Sequence, residues 1–308
     1  MKDQNRRTFI KNSMLTGSAI ALNNPVSLFD NTGRQSRKEI QIKKVDSNFE
    51  REPLIRPFGF KGGYMSEIWQ TVSYLESSSG DHQIGLCTQN VLWSDANVFS
   101  SNSEAAGNTL MYAVTEYAHQ LIKGQTFNNP VSLLDDILPQ VYAYAKTVTS
   151  NPSLRKTFAL NALVGVDNAL WLLYAQENGF KTFDDMIPEM YKPCLSFHHK
   201  NAAAIPLMAY NIPINEISEA VDQGYFFMKI KIGQPGTQEV MLEKDKMRLS
   251  AIHKAIGNVR TKYSENGKLP YYFDANGRYE KKETLMRLLD YAKKIGAFDQ
   301  ISVIEEPF

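Results

Sequence analysis

The chain has 308 residues, of which 43% are hydrophobic and 22% charged, with a formal net charge of +1. That balance describes a globular protein with room for two domains and gives no electrostatic case for a nucleic-acid partner. No apolar run in the sequence reaches bilayer length, so no stable membrane span is expected.

Residues 1–22 read as an export signal. The paired-arginine head Asn5-Arg6-Arg7-Thr8-Phe9 precedes a short, weakly apolar stretch that ends Ala19-Ile20-Ala21. A charged head, an apolar middle and a small-residue exit resemble a twin-arginine signal, with cleavage expected after Ala21. An exported, periplasmic location follows, with the cytoplasm as the alternative. Residues 23–58 are polar and read as a linker, although 40–45 has the pattern of an edge strand.

An α+β domain is expected over 59–196. Residues 67–75 alternate as a strand does, and 83–92 match as a hairpin partner across Ser77-Ser78-Ser79-Gly80. Helices follow. Leu110, Met111, Val114, Tyr117, Ala118, Leu121 and Ile122 recur at three and four and stop before Gly124; a second helix follows Pro130, and a third follows Asn151-Pro152 and closes near Gly179.

From 197 to 308 the pattern changes to strands alternating with helices: strand 205–210, helix 216–223, strand 225–233, helix 238–256, strand 271–277, helix 280–295 and strand 301–307. Alternation of this kind predicts parallel pairing through right-handed crossovers. Three strand ends carry chemistry. Lys229 and Lys231 share one face of the first, Tyr272, Asp274 and Asn276 share a face of the second, and Glu305 ends the third before Pro307. The spacings of 43 and 31 residues suit strand-helix-strand units. The carboxyl ends of parallel strands are where barrel enzymes keep their reactive groups.

Taken together, Lys229-Ile230-Lys231, Asp274-Ala275-Asn276 and Ile304-Glu305-Glu306-Pro307 resemble the enolase superfamily in its mandelate racemase and muconate-lactonizing branch. Val166-Asp167-Asn168-Ala169-Leu170-Trp171 resembles a helix signature of that family's capping domain, and Asp245 with Arg248 resembles its helix after the lysine strand. The resemblance covers roughly residues 60–308. It implies an α+β capping domain followed by an α/β (β/α) TIM-type barrel, here covering only about the first four strands.

The resemblance also implies an activity. Family members remove a proton α to a carboxylate, and a divalent cation stabilises the enediolate that results. Lys231 would be the base, Lys229 would favour its neutral amine and help hold the substrate carboxylate, and Asp274 and Glu305 would be ligands to Mg²⁺ or Mn²⁺ with Asn276 behind them. The partner is then a small-molecule carboxylate, with a homo-oligomer left open. Racemisation or epimerisation of a dipeptide or amino-acid derivative is the first expectation, with cycloisomerisation in the same class and sugar-acid dehydration as the alternative. The family's third metal carboxylate and the group facing Lys231 belong to later strands, so the sequence reads as a fragment of the enzyme. The competing reading is a truncated, catalytically incomplete relative that acts only as a binding or structural chain.

Other features carry less. His198-His199 sits between the domains, and Glu306 faces away from Glu305 and reads as a structural acid. Cys87 and Cys194 suit either a disulfide or two buried thiols. Gly233-Gln234-Pro235-Gly236 lacks the ending of a phosphate loop and reads as a turn.

Overall fold

The computed structural model describes residues 37–308. The export signal expected at 1–22, and residues 23–36 of the expected linker, lie outside the described residues.

The rest of that expected linker is a strand. β1 (Ile40–Phe60) pairs antiparallel with β2 (Gly63–Ser77), which in turn pairs with β3 (His82–Gln89). The short β4 (Thr126–Phe127) joins β1 at Ile40 and Gln41 and completes a sheet in the order β3-β2-β1-β4. Only Ile40 and Ile42 of the early part of β1 are buried, so the remaining residues look polar in sequence. The backbone ladder to β2 holds that stretch extended, helped by Phe49 stacked on Trp69 at 4.2 Å and by the Arg51–Glu67 ion pair at 2.8 Å. A register break between Pro53 and Phe58 leaves Ile55 fully exposed and turns the hairpin tip, residues 58–64, toward the second sheet.

Three long helices cover one face. α1 (Glu104–Ile122) starts at Ser103, whose hydroxyl accepts the Ala106 N–H at 3.2 Å; α2 (Pro130–Val148) starts at Asn129 with proline in its first turn; α3 (Lys156–Asn178) stops at Gly179 in the left-handed conformation, φ +69. α3 is long and apolar enough to cross a bilayer, which the sequence reading did not anticipate, but Val166, Ala169, Leu170, Leu173 and Tyr174 are fully buried in the fold. It approaches β3 so closely that a Cβ on Gly85 would lie 2.0 Å from the Gly165 carbonyl oxygen. The expected hairpin strand ends at Gln89, because the Asn90 side chain accepts the Trp93 N–H and starts a short helix, Val91–Ser94.

The second sheet is parallel throughout, in the order β5 (Leu207–Met208), β6 (Met228–Lys231), β7 (Tyr271–Asp274) and β8 (Ile301–Glu305). α4 (Ile214–Asp222), α5 (Gln238–Ile256) and α6 (Lys282–Lys294) make the crossovers. Met228, Ile230 and Ile232 face Met241, Leu242, Leu249 and Ile252 of α5 and form a second core with Phe273 and Leu288. On α5 Met247 is 71% exposed, while Asp245 two positions earlier is fully buried. β5, within the strand expected at 205–210, is two residues long and, among the described residues, pairs on one side alone.

Cys87 and Cys194 are both free thiols; Cys87 is buried and donates to the Asn161 carbonyl at 3.4 Å, and Cys194 is exposed. His198 meets Asp184 at 3.0 Å on the surface.

Candidate active site

One row of side chains crosses the carboxyl ends of three strands. Lys231 pairs in register with Asp274, and Asp274 with Glu305. The second pairing depends on an irregularity. Tyr271 lies opposite Ile301 but Tyr272 opposite Val303, so β8 slips by one residue and presents Glu305, rather than Ile304, beside Asp274.

The two lysines converge on one oxygen. Lys231 Nζ donates to Asp274 Oδ2 at 2.6 Å and to Asn276 Oδ1 at 2.7 Å; Lys229 Nζ reaches the same Asp274 oxygen at 2.8 Å and also bonds Glu305. The Tyr272 hydroxyl donates to Glu305 Oε2 at 2.7 Å, and the Asn276 N–H donates to Asp274 Oδ1 at 3.1 Å. Asn276 has φ +48, a left-handed backbone that asparagine tolerates better than most residues, and this bends the chain so that its amide faces Lys231. Lys231, Asp274 and Asn276 are each at most 5% exposed.

Burial and charge drive the lysines apart. Burial pulls the Lys231 ammonium below the ordinary lysine range; Asp274 opposes it, Lys229 adds to it, and the net direction is down. For Lys229 burial also acts downward, but hydrogen bonds and charge from Asp274 and Glu305 outweigh it and the net direction is up. Asp274 is held below the ordinary carboxylate range, its burial outweighed by the two ammonium groups.

Several supports come from elsewhere. Asp245 on α5 accepts the N–H of Gly233 at 2.8 Å and the Tyr279 hydroxyl at 2.7 Å. Tyr210 after β5 donates to the Gly233 carbonyl at 2.9 Å, and Arg248 bonds the carbonyls of Ala209 and Ile212. Gly233, with φ +81, is thus held from both sides directly beyond the lysine strand. From the first sheet, the hairpin tip brings the Phe60 ring to 5.3 Å from Lys231 Nζ. Period-two spacing had already put Tyr272 on the site's face. Nothing local in the sequence pointed to Phe60, Tyr210 or Tyr279, whose roles depend on which loops meet.

Glu306 is exposed, with φ +39, and contributes its carbonyl to the Gly277 N–H at 2.6 Å. Among the described residues no group of three or more His, Cys, Asp or Glu side chains is placed to hold a metal. Asp274 and Glu305 are nonetheless hard oxygen donors close enough to share one cation, since the Lys229 ammonium touches both.

No protein-family model and no curated protein matches the sequence. Solved structures do match the fold. A dipeptide epimerase from Enterococcus faecalis V583, complexed with Mg and L-Leu-L-Tyr, aligns at 18% identity and TM-score 0.55 over 87% of this chain and 61% of its own. The L-Ala-D/L-Glu epimerase from Bacillus subtilis aligns at 14% and 0.57 with the same coverages, and L-talarate/galactarate dehydratase from Salmonella typhimurium LT2 at 18% and 0.53 over 94% and 63%. The chain therefore spans about three fifths of the length of these structures. All three are members of the mandelate racemase and muconate-lactonizing branch of the enolase superfamily, and it is their fold, in part, that this chain has.

Proposed function

We propose that the chain carries the proton-abstracting part of a metal-dependent isomerase or lyase acting α to a carboxylate. The observation that carries this reading is the lysine pair on one Asp274 oxygen, with Lys231 buried and displaced toward the neutral amine while Lys229 is displaced toward the ammonium. Pairs of titratable groups pushed apart by their surroundings mark acid and base assignments.

In this scheme the Lys231 lone pair takes the α-proton as the C–H bond breaks, and the bonding electrons pass to the two carboxylate oxygens of the substrate. Asn276 and Asp274 fix Nζ in place, so little reorientation precedes transfer. Lys229 keeps its charge and lies beside the developing negative charge. Asp274 and Glu305 would hold a divalent cation, which supplies Lewis-acid stabilisation of that charge when bound. Reprotonation on the opposite face gives racemisation or epimerisation, and loss of a β-hydroxyl gives dehydration.

Exchange of the α-proton with D₂O tests the reading. With saturating Mg²⁺ and a panel of N-acylated amino acids, dipeptides and sugar acids, at least one compound should exchange with wild type and none with Lys231→Met. A panel wholly inert with wild type would sink it. We extend the proposal to export on the strength of the Arg6-Arg7 head: protein from the periplasm should begin just after Ala21, and an amino terminus upstream of it would count against export.

A further inference from the structure

Glu305 stands at the open end of the row of strand-end side chains. Among the described residues β8 has a neighbour on one side alone, and the Glu305 side chain is 35% exposed where that of Asp274 is 2% exposed. Asp274 is fixed through both oxygens, since Oδ2 accepts from the two lysines and Oδ1 from the Asn276 N–H. Glu305 is held by one. The Lys229 ammonium and the Tyr272 hydroxyl both donate to Oε2, the hydroxyl at 2.7 Å, and Oε1 accepts from no described residue. Which way the second oxygen faces is therefore decided by what grips the first.

Lys229 is poorly suited to that task. Its ammonium is a compact charge on a flexible stem, shared with Asp274, and it attracts either oxygen of a carboxylate alike. Tyr272 is better suited, because a phenol presents one O–H at the end of a rigid ring. It lies opposite Val303 in register, so Glu305, two residues further along β8, is on the same face. Its ring is braced from the lysine segment: the Phe227 ring, just before β6, packs at 5.9 Å, and Lys229 Nζ lies 4.8 Å from the ring centroid.

We propose that Tyr272 is a positioning residue for the cation site, holding Glu305 by Oε2 so that Oε1 is the oxygen offered to the metal. This rests on the metal-dependent reading above and adds to it a neutral side chain that decides how one ligand binds. A carboxylate gripped by one oxygen has only the other to give, which suits Mg²⁺ with its strict octahedral geometry. A carboxylate free to turn can offer both oxygens, which Ca²⁺ accepts. The hydroxyl is thus a determinant of which ion the site prefers.

The probes are Mg²⁺ and Ca²⁺ alone, titrated calorimetrically into the full chain without substrate, in wild type and in Tyr272→Phe. The substitution removes the hydroxyl and keeps the ring. Mg²⁺ should bind the variant roughly tenfold more weakly, while Ca²⁺ affinity changes by less than about threefold and the metal-free melting temperature by less than about 3 °C. Unaltered Mg²⁺ affinity, no binding of Mg²⁺ to wild type, or an equal fall for both ions would overturn the role, the last because it marks a general loosening of the site. Exchange in D₂O separates this from the proton-abstraction reading. A shift in ion preference without exchange of any α-proton leaves Tyr272 its role and removes the catalysis, and exchange by wild type with no shift in Tyr272→Phe does the reverse.

Discussion

Lys229 and Lys231 share one oxygen of Asp274, at 2.8 and 2.6 Å, and are displaced in opposite directions by what else surrounds them. Lys229 is closed in by a second carboxylate and an aromatic face, Tyr272 at 4.8 Å, whereas Lys231 is buried against Phe60 and a neutral amide. One strand thus carries a fixed charge and a titrating amine side by side.

That difference predicts a pH profile. Only the neutral amine accepts a proton, so α-proton exchange rises with pH, with its half-maximum below the ordinary lysine value of 10.5. Replacing Lys229 by Met removes a charge that disfavours the Lys231 ammonium, and the inflection should move up. Lys231→Met should lower exchange by roughly a thousandfold, and Lys231→Arg by nearly as much, since a guanidinium does not give up its proton. A profile that falls across the same range would contradict the assignment of Lys231 as base.

Metal binding is predicted to depend on Glu305. In Glu305→Gln the oxygen that meets Lys229 and Tyr272 becomes part of an amide, and Mg²⁺ affinity should drop tenfold or more, about 1.4 kcal/mol. At a fixed Mg²⁺ concentration the metal-induced rise in melting temperature should shrink accordingly, and chelation should erase it in wild type. An unchanged rise would move the metal elsewhere.

Asp245 is predicted to hold the turn after Lys231 through one oxygen. Asp245→Ala strands the Gly233 N–H and the buried Tyr279 hydroxyl and should cost about 3 kcal/mol in urea unfolding. Asp245→Asn keeps an acceptor for both and should cost under about 1 kcal/mol. Burial raises the Asp245 carboxyl, so this group favours the fold at low pH and that contribution fades as pH rises through its raised pKa. If the alanine and asparagine variants are equally unstable, the hydrogen-bond account is wrong.

His119 gives an acid-sensitive element remote from the chemistry. It is 3% exposed, neither ring nitrogen has a hydrogen-bond partner, and burial pulls its pKa down to about 4, with Asp46 opposing weakly. The folded value lies below the ordinary 6.5, so the stability it contributes is present above 6.5 and is lost as pH falls from there to about 4. The loss should be on the order of 2–3 kcal/mol, and His119→Leu should remove most of it. Urea titrations at pH 7.5 and 4.5 measure both; parallel losses in wild type and variant would show that another group is responsible.

How far the sequence could be read followed the range of the forces involved. Local patterns located α5 to the residue and placed Lys229, Lys231, Asp274 and Glu305 at the ends of adjacent strands, because periodicity and breakers act over a few residues. β1 escaped because its order comes from the ladder to β2 and little from burial, so its side chains show no apolar alternation past Ile42. Asp245 looked like any polar residue on a helix until its resemblance to a known pattern set it apart, and its partners Gly233 and Tyr279 lie 12 and 34 residues away. The ring over Lys231 was illegible for the same reason: Phe60 and Lys231 are far apart in sequence and meet only through the tip of a hairpin.

The one-residue slip in β8 has a consequence for how such a site tolerates change. If β8 kept all its residues and paired with β7 without the slip, Ile304 would stand where the carboxylate does now; deleting Ser302 along with the slip would leave Glu305 in place. Without the slip Val303 would lie opposite Phe273 in place of Ile304, and the carboxylate that meets Lys229 and Tyr272 would leave the row. The slip, more than the composition of β8, therefore decides which side chain stands in the row beside Asp274.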